Sequence, residues 1–227
     1  MYEAVKNPSA TRASARLQVS ELYRSIQGES THAGRPCAFV RLTGCPLRCV
    51  WCDTTFAFHG GRPMTIEAIL DRVAALGVGL VEVTGGEPLA QAECLDLLAA
   101  LCDAGYEVLL ETSGAIDVAP VDPRVVKILD VKCPGSGEVE SNRWENLEAL
   151  GPRDEIKFVL ADRADYEWAR ETIRRLKLER RFALLLSPVH DRLDPADLAA
   201  WMLADAIEAR LQIQLHKQIW PGKEREV

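Results

Sequence analysis

Three cysteines stand within eight residues of the segment Gly44-Cys45-Pro46-Leu47-Arg48-Cys49-Val50-Trp51-Cys52-Asp53-Thr54, in the spacing CxxxCxxC. Thiols packed this closely point to metal chemistry. A structural zinc site takes four protein ligands and closes its coordination sphere, so here it needs a fourth, from Cys37 or His59. A four-iron cluster is normally held by one thiolate per iron. Three thiolates then leave one iron without a protein ligand, open to an external molecule. The spacing leaves both chemistries open. Cys37 is a poor fourth ligand, because it lies eight residues upstream of Cys45 at the start of a predicted strand.

Some thirty residues after Cys52, the run Leu80-Val81-Glu82-Val83-Thr84-Gly85-Gly86-Glu87-Pro88 passes from a strand-like pattern into a helix-like one. Adjacent glycines let a backbone approach a ligand closely, and Pro88 suits the opening of a helix. The carboxyl ends of parallel strands are where α/β folds bind ligands. An ordinary strand-to-helix turn explains a lone Gly-Gly pair, but it is a poor account of one that accompanies a cysteine triplet.

The elements that must position these residues read as an alternation. Strands are predicted at 38–42, 80–84, 107–112, 126–132, 155–160, 182–186 and 211–215, and helices at 65–76, 88–103, 164–178 and 195–208. Asp194 is the expected N-cap of the last helix, with Pro195 at its first position. Apolar strands alternating with helices indicate a parallel α/β sheet. Six or seven strands are too few for a closed eight-unit barrel. The expectation is a single-domain α/β fold, a partial parallel β/α barrel of about six core strands. Residues 18–221 form that core, with a loose N-terminal tail over 1–17 and a C-terminal tail over 222–227.

Composition narrows the class. The 227 residues are 48% hydrophobic, enough for a core, and the net charge of −7 argues against a broad nucleic-acid footprint. No apolar run reaches the roughly 18 residues of a membrane span, and the polar, alanine-rich N-terminus lacks a signal-peptide pattern. The chain reads as cytoplasmic. Seven cysteines, an odd number, do not suggest a disulfide framework in that compartment. Cys94 and Cys102 fall in a helical pattern and read as small hydrophobes. The basic run over 170–181 is interleaved with acids and reads as a solvated helix face, and secondarily as a landing site for an acidic electron donor such as flavodoxin. Trp201 and Met202 read as core or as a dimer contact.

Together, the cysteine triplet and the Gly85-Gly86-Glu87-Pro88 segment resemble the radical S-adenosylmethionine (SAM) enzymes. That resemblance implies that Cys45, Cys49 and Cys52 hold a [4Fe-4S] cluster and that SAM chelates the fourth iron. Gly85, Gly86 and Glu87 would then contact the methionine moiety. Within that group, "SIQGES" (25–30), "GRPCAFVRLTGC" (34–45), "WCDTTFAF" (51–58), "LETSG" (110–114), "LDVKCPGSG" (129–137) and "LQIQLHKQIW" (211–220) resemble the 7-carboxy-7-deazaguanine synthase family, across about Glu21 to Pro221. The implied reaction converts 6-carboxy-5,6,7,8-tetrahydropterin to 7-carboxy-7-deazaguanine and ammonia, in a route to 7-deazapurines such as queuosine. SAM is regenerated, Mg²⁺ is required, and the enzyme is a homodimer.

The same resemblance distributes roles along the chain. Further SAM contacts fall on Glu111, Ser113, Lys132, Cys133, Pro134, Ser187, Pro188, Val189 and His190, and Thr54 matches the Mg²⁺ ligand. Substrate contacts fall on Ile26, Gln27, Gly28, Glu29, Arg41, Thr84, His216 and Pro221. The residue types suit those roles. A guanidinium fork at Arg41 matches a planar carboxylate, Gln27 can donate and accept along a pterin edge, and ionised Glu29 accepts from guanidine-like N–H groups. A hard cation takes a hydroxyl oxygen and keeps several waters, although a threonine after a cysteine knuckle is more often a turn or capping residue. In some relatives the chain ends near the residue matching Pro221. Here Gly222–Val227 follow, so a terminal-carboxylate role does not carry over. Two other readings share some of these features: an activating enzyme for glycyl-radical proteins and, in a different class, a non-enzymatic zinc-binding module.

Overall fold

A computed structural model describes residues 16–227. The tail expected over 1–17 lies outside the described residues except for its last two, and these already belong to the first strand. Nine strands form one open sheet: β1 (Arg16–Ile26), β2 (Pro36–Leu42), β3 (Arg62–Thr65), β4 (Leu80–Gly85), β5 (Glu107–Thr112), β6 (Val126–Val131), β7 (Glu155–Leu160), β8 (Ala183–Pro188) and β9 (Arg210–Leu211). Their order is β3-β1-β2-β4-β5-β6-β7-β8-β9. From β2 to β9 every pairing is parallel, and β1 runs antiparallel to both β2 and β3. The sheet does not close, as the partial-barrel expectation required.

The helices are α1 (Ile66–Leu76), α2 (Cys94–Asp103), α3 (Asn146–Ala149), α4 (Arg163–Leu176), α5 (Pro195–Asp205) and α6 (Leu215–Ile219). The long ones start and stop for local reasons. Thr65 and Asp162 cap α1 and α4 by accepting amide protons, Asp194 caps α5 with Pro195 behind it, and α1 ends on Gly77 in the left-handed conformation. The expected helix over 88–103 splits into a 3₁₀ turn at Pro88–Ala90 and α2. Cys94 is fully buried and Cys102 half-buried.

Alternate strand residues face two different cores. Val40, Val83, Leu110, Leu129, Phe158 and Leu186 join the helices in the larger one. The intervening residues face the concave side, and along each strand they change character. Near the strand starts, Tyr23, Cys37, Phe39, Leu80, Leu109, Val126 and Ile128 form a second apolar cluster. Toward the carboxyl ends the same rows continue as Arg41, Glu82, Thr84, Glu111, Asp130, Lys157 and Ser187, all of which line one cavity. The fold therefore delivers its polar side chains to one place.

Two strands were not foreseen, and one was misplaced. β1 mixes polar and apolar residues because it lies near the antiparallel edge, and β3 is a four-residue edge strand that tolerates Pro63. The strand expected over 211–215 pairs with β8 only at Arg210 and Leu211, and Leu215 instead opens α6. Its glutamines turn inward: Gln212 accepts from the Ser30 amide at 2.6 Å, and Gln214 donates to Glu29 at 2.8 Å.

The long connection after β5 is fixed by one buried side chain. Asn146 accepts from the Val118 amide at 3.1 Å and donates to the Gly114 and Ile116 carbonyls, each at 2.9 Å. Removing these bonds strands buried backbone groups. Asn146→Ala is expected to lower unfolding free energy in urea by about 2–4 kcal/mol; a loss below about 1 kcal/mol would show that the connection is held by other contacts.

Candidate active site

The cysteine loop and the glycine turn meet because β2 and β4 are parallel neighbours, with Leu42 opposite Gly85. Beyond that register the contact continues: the Gly86 amide donates to the Leu42 carbonyl at 3.3 Å, and the Glu87 amide donates to the Gly44 carbonyl at 2.8 Å. No side chain fits between them. Gly85 has φ +146°, and a Cβ there would run into the Leu42 backbone. A Cβ on Gly86 would overlap the Gly44 carbonyl oxygen and lie 2.7 Å from the Cys45 Cβ.

Glu87 locks this turn from behind. Its fully buried carboxylate accepts from the Thr112 hydroxyl at 2.9 Å, the Ser113 amide at 2.7 Å and the Leu89 amide at 3.0 Å. The carboxylate thus ties β4 to the end of β5 and is satisfied by the protein.

Cys45, Cys49 and Cys52 are free thiols, each half-buried, on the wall of a cavity of about 1150 Å³. Burial pushes the Cys45 and Cys49 thiols up, and the nearby Lys132 ammonium pulls both back toward the thiolate. Burial alone would lower Lys132, but Asp130, 2.9 Å away, and the Cys49 sulfur outweigh it and keep the lysine charged. Three soft thiol ligands on a roomy wall, with an ammonium alongside and a cradle that excludes a methyl group, fit an iron–sulfur cluster that would be held by three protein thiolates. Thr54 lies beside them, its hydroxyl 3.8 Å from the Cys52 sulfur. It precedes the 3₁₀ turn Thr55–Phe58, and its carbonyl accepts from the Ala57 amide at 2.8 Å, but its hydroxyl makes no capping bond.

The floor is a charge network centred on Lys157. This buried ammonium pairs with Glu29 at 2.8 Å and with Glu111, and lies 3.8 Å from Asp130. Burial opposes the charge on Glu29, but Lys157 and then Gln214 overcome it and hold that carboxyl below its usual range. Thr84 donates to Glu111 at 3.5 Å. Gln27 is buried: its amide donates to Glu82, and its oxygen accepts from the Glu29 amide at 3.0 Å. Arg41 is oriented by β1, pairing with Glu21 at 3.1 Å and donating to the Tyr23 hydroxyl at 3.2 Å.

The C-terminal segment forms the remaining wall. His216 lies against Gly28 so closely that a Cβ there would overlap Nδ1, and the Leu215 amide donates to the Gly28 carbonyl at 3.0 Å. Burial lowers His216 and favours the neutral imidazole. Lys217 pairs with Asp53 at 2.9 Å. Residues 222–227, expected as a tail, pack over the cavity instead. The Arg225 guanidinium stacks 4.2 Å from the Phe56 ring centroid, and the Tyr23 hydroxyl donates to the Val227 carbonyl at 3.0 Å.

Most residues singled out in the sequence line this one cavity. Ile26, Glu87, Cys133, Pro134 and Pro188 do not. Cys133 is buried within the loop after β6, and Ile26 ends β1 outside the cavity lining. Glu82, Asp130, Lys157, Asp53 and Gln214 line the cavity but were not foreseen. The signal for the first three was a charged residue at alternate positions of an otherwise apolar strand.

The sequence pattern of the Radical SAM superfamily matches residues 39–182. A protein of Koribacter versatilis (strain Ellin345) named 7-carboxy-7-deazaguanine synthase is 51% identical over 219 residues, covering 90% of this chain and 97% of its own. One of the same name from Chlorobaculum tepidum is 49% identical, covering 91% of this chain and 95% of its own. The crystal structure of QueE from Escherichia coli superposes with a TM-score of 0.76 at 24% identity, over 93% of this chain and 100% of that one, which supports the same fold.

The glycine cradle generates a specific expectation. Gly86→Ala should fold but push the cysteine loop outward, cutting iron and sulfide retained after anaerobic reconstitution by about tenfold, a cost near 1.4 kcal/mol. Iron retention equal to that of the unaltered protein would show that the close approach is dispensable.

Proposed function

The chain belongs to the radical SAM superfamily and, within it, to the 7-carboxy-7-deazaguanine synthase family, and from that premise we propose that it converts 6-carboxy-5,6,7,8-tetrahydropterin to 7-carboxy-7-deazaguanine with release of ammonia. It is a radical SAM enzyme, and its cofactors are a [4Fe-4S] cluster and SAM. What supports this substrate best is that the cysteine loop and a set of groups suited to a pterin open on the same cavity. We assign the cluster to Cys45, Cys49 and Cys52, where it would supply, with SAM, the carbon radical that starts the rearrangement.

The chain's own residues position the substrate and keep water away. Glu29, held ionised by Lys157, accepts from the guanidine-like N–H groups of the pterin. Arg41, preset by Glu21 and Tyr23, meets the substrate carboxylate. Thr84 stands between the two ends of the cavity, at the last turn of β4 before the glycines. The SAM contacts are Gly85, Gly86, Glu111, Ser113, Lys132, Ser187, Val189 and His190, all at or just beyond strand ends. The C-terminal segment, with His216 and Pro221, covers the opening and excludes solvent from the reacting centre. Thr54, free of capping duty, serves as a protein ligand to Mg²⁺, with the substrate carboxylate and water completing the shell. We further propose a homodimer and an acidic electron donor such as flavodoxin. Among the described residues, no helix is long and apolar enough to cross a membrane.

The reconstituted protein, incubated anaerobically with SAM, reductant, Mg²⁺ and the carboxytetrahydropterin, is expected to release the deazaguanine product, followed by chromatography and mass. SAM cleavage without that product would overturn the substrate assignment. Thr54→Ala should raise the Mg²⁺ concentration needed for half-maximal rate by about tenfold or more while leaving cluster content unchanged. An unchanged Mg²⁺ requirement would remove Thr54 from the metal site.

A further inference from the structure

One carboxyl in the floor has no part in the scheme above. Glu82 lies in the middle of β4 on the concave face, 3% exposed, and lines the cavity. The Gln27 amide donates to its Oε2, and because Gln27 also accepts from the Glu29 amide, its orientation is set. Oε1 of Glu82 has no hydrogen-bond partner among the described residues, yet it is not sealed inside the protein. It therefore opens to the cavity.

The charges around Glu82 come from every neighbouring element. Glu29 follows β1, Glu111 is on β5 and Lys157 on β7, with Tyr23 and Cys37 behind on β1 and β2. Lys157 pairs with Glu29, Glu111 and Asp130 and makes no ion pair with Glu82. A further ionised carboxylate beside two that share one ammonium would lack support in a buried site. Burial first, then Glu111 and Glu29, push the Glu82 carboxyl well above its usual range.

We propose that Glu82 is a neutral carboxylic acid whose Oε1–H faces the cavity and donates a hydrogen bond to an acceptor atom of the bound heterocycle. The floor then presents one donor beside the acceptor carboxylate of Glu29. That pattern complements a ring edge on which an N–H donor stands beside a carbonyl or imine-type acceptor. Glu82 is thus a specificity-determining residue: a ring carrying an amino group in place of that acceptor would leave two donors opposed. This inference rests on the pterin reading and deepens it.

The test uses full-length, anaerobically reconstituted holoenzyme with SAM bound. Affinity for the carboxytetrahydropterin is measured by calorimetry, beside iron content and infrared spectra. Glu82→Gln keeps a donor but cannot ionise, and should bind within about threefold of the unaltered protein. Glu82→Leu has no donor and should bind about tenfold or more weakly. Both should retain iron, and the infrared difference between the unaltered protein and Glu82→Gln should contain the C=O band of a protonated carboxyl. Binding by Glu82→Gln as weak as by Glu82→Leu would mean that an ionised carboxylate is needed. Tight binding by Glu82→Leu, or a missing band, would equally overturn the assignment. If the unaltered protein fails to bind the pterin, the substrate reading falls too, whereas failure confined to the variants removes only the role of Glu82.

Discussion

A backbone contact that admits no side chain joins two segments of the site that are distant in sequence. Parallel pairing of β2 with β4 sets Leu42 against Gly85, and the chains then stay in contact for two more residues, through Gly86 and Glu87. Only glycine permits this, because any Cβ would enter the Leu42 or Gly44 backbone. The cysteine loop consequently rests on the glycine turn, and the turn in turn rests on the end of β5 through the Glu87 carboxylate. Three strand ends and one loop behave as a single support. This is why the thiols can remain half-buried on a cavity wall without closing around a fourth ligand of their own.

The second constraint is electrostatic. The cavity floor gathers carboxyls from β4, β5, β6 and the segment after β1, and Lys157 answers three of them. In a buried site a carboxylate that loses its cation becomes an uncompensated charge, costing about 3–5 kcal/mol when the pair is broken. Lys157 thus holds Glu29 ionised. Glu29 remains an acceptor below its usual titration range, while burial and the neighbouring Glu111 and Glu29 carboxyls push Glu82, which has no ion pair to Lys157, well above its own. Two chemically identical side chains are pushed in opposite directions, one by an ammonium against it and the other by burial beside like charges.

Much of this was legible from residue types. The cysteine spacing left zinc and iron–sulfur chemistry open, and the iron–sulfur reading came from the family resemblance that the Gly85–Pro88 segment completes. The parallel sheet followed from apolar strands alternating with helices. What escaped was carried by long-range contacts. The segment 222–227 looks like a tail by composition, yet Tyr23, 204 residues away, bonds to Val227, and Arg225 finds Phe56. The glutamines of 212–214 alternate like a strand, but the buried Glu29 loop claims them as hydrogen-bond partners. Glu87 reads as a cofactor contact until its carboxylate is seen to be satisfied by Thr112 and Ser113. Lys157 and Glu82 were visible as charged residues at alternate positions of β7 and β4, and only the shared concave face gives those positions a meaning.

In the proposed assignment the three thiolates hold a four-iron cluster whose remaining iron is left to SAM. Electron paramagnetic resonance of the reduced, reconstituted protein, recorded with and without SAM, tests it directly. About four irons per chain are expected, with a cluster signal whose g-values shift when SAM is added, because the cofactor would ligate the open iron. A signal indifferent to SAM, or a chain that retains one zinc and no labile sulfide, would contradict it.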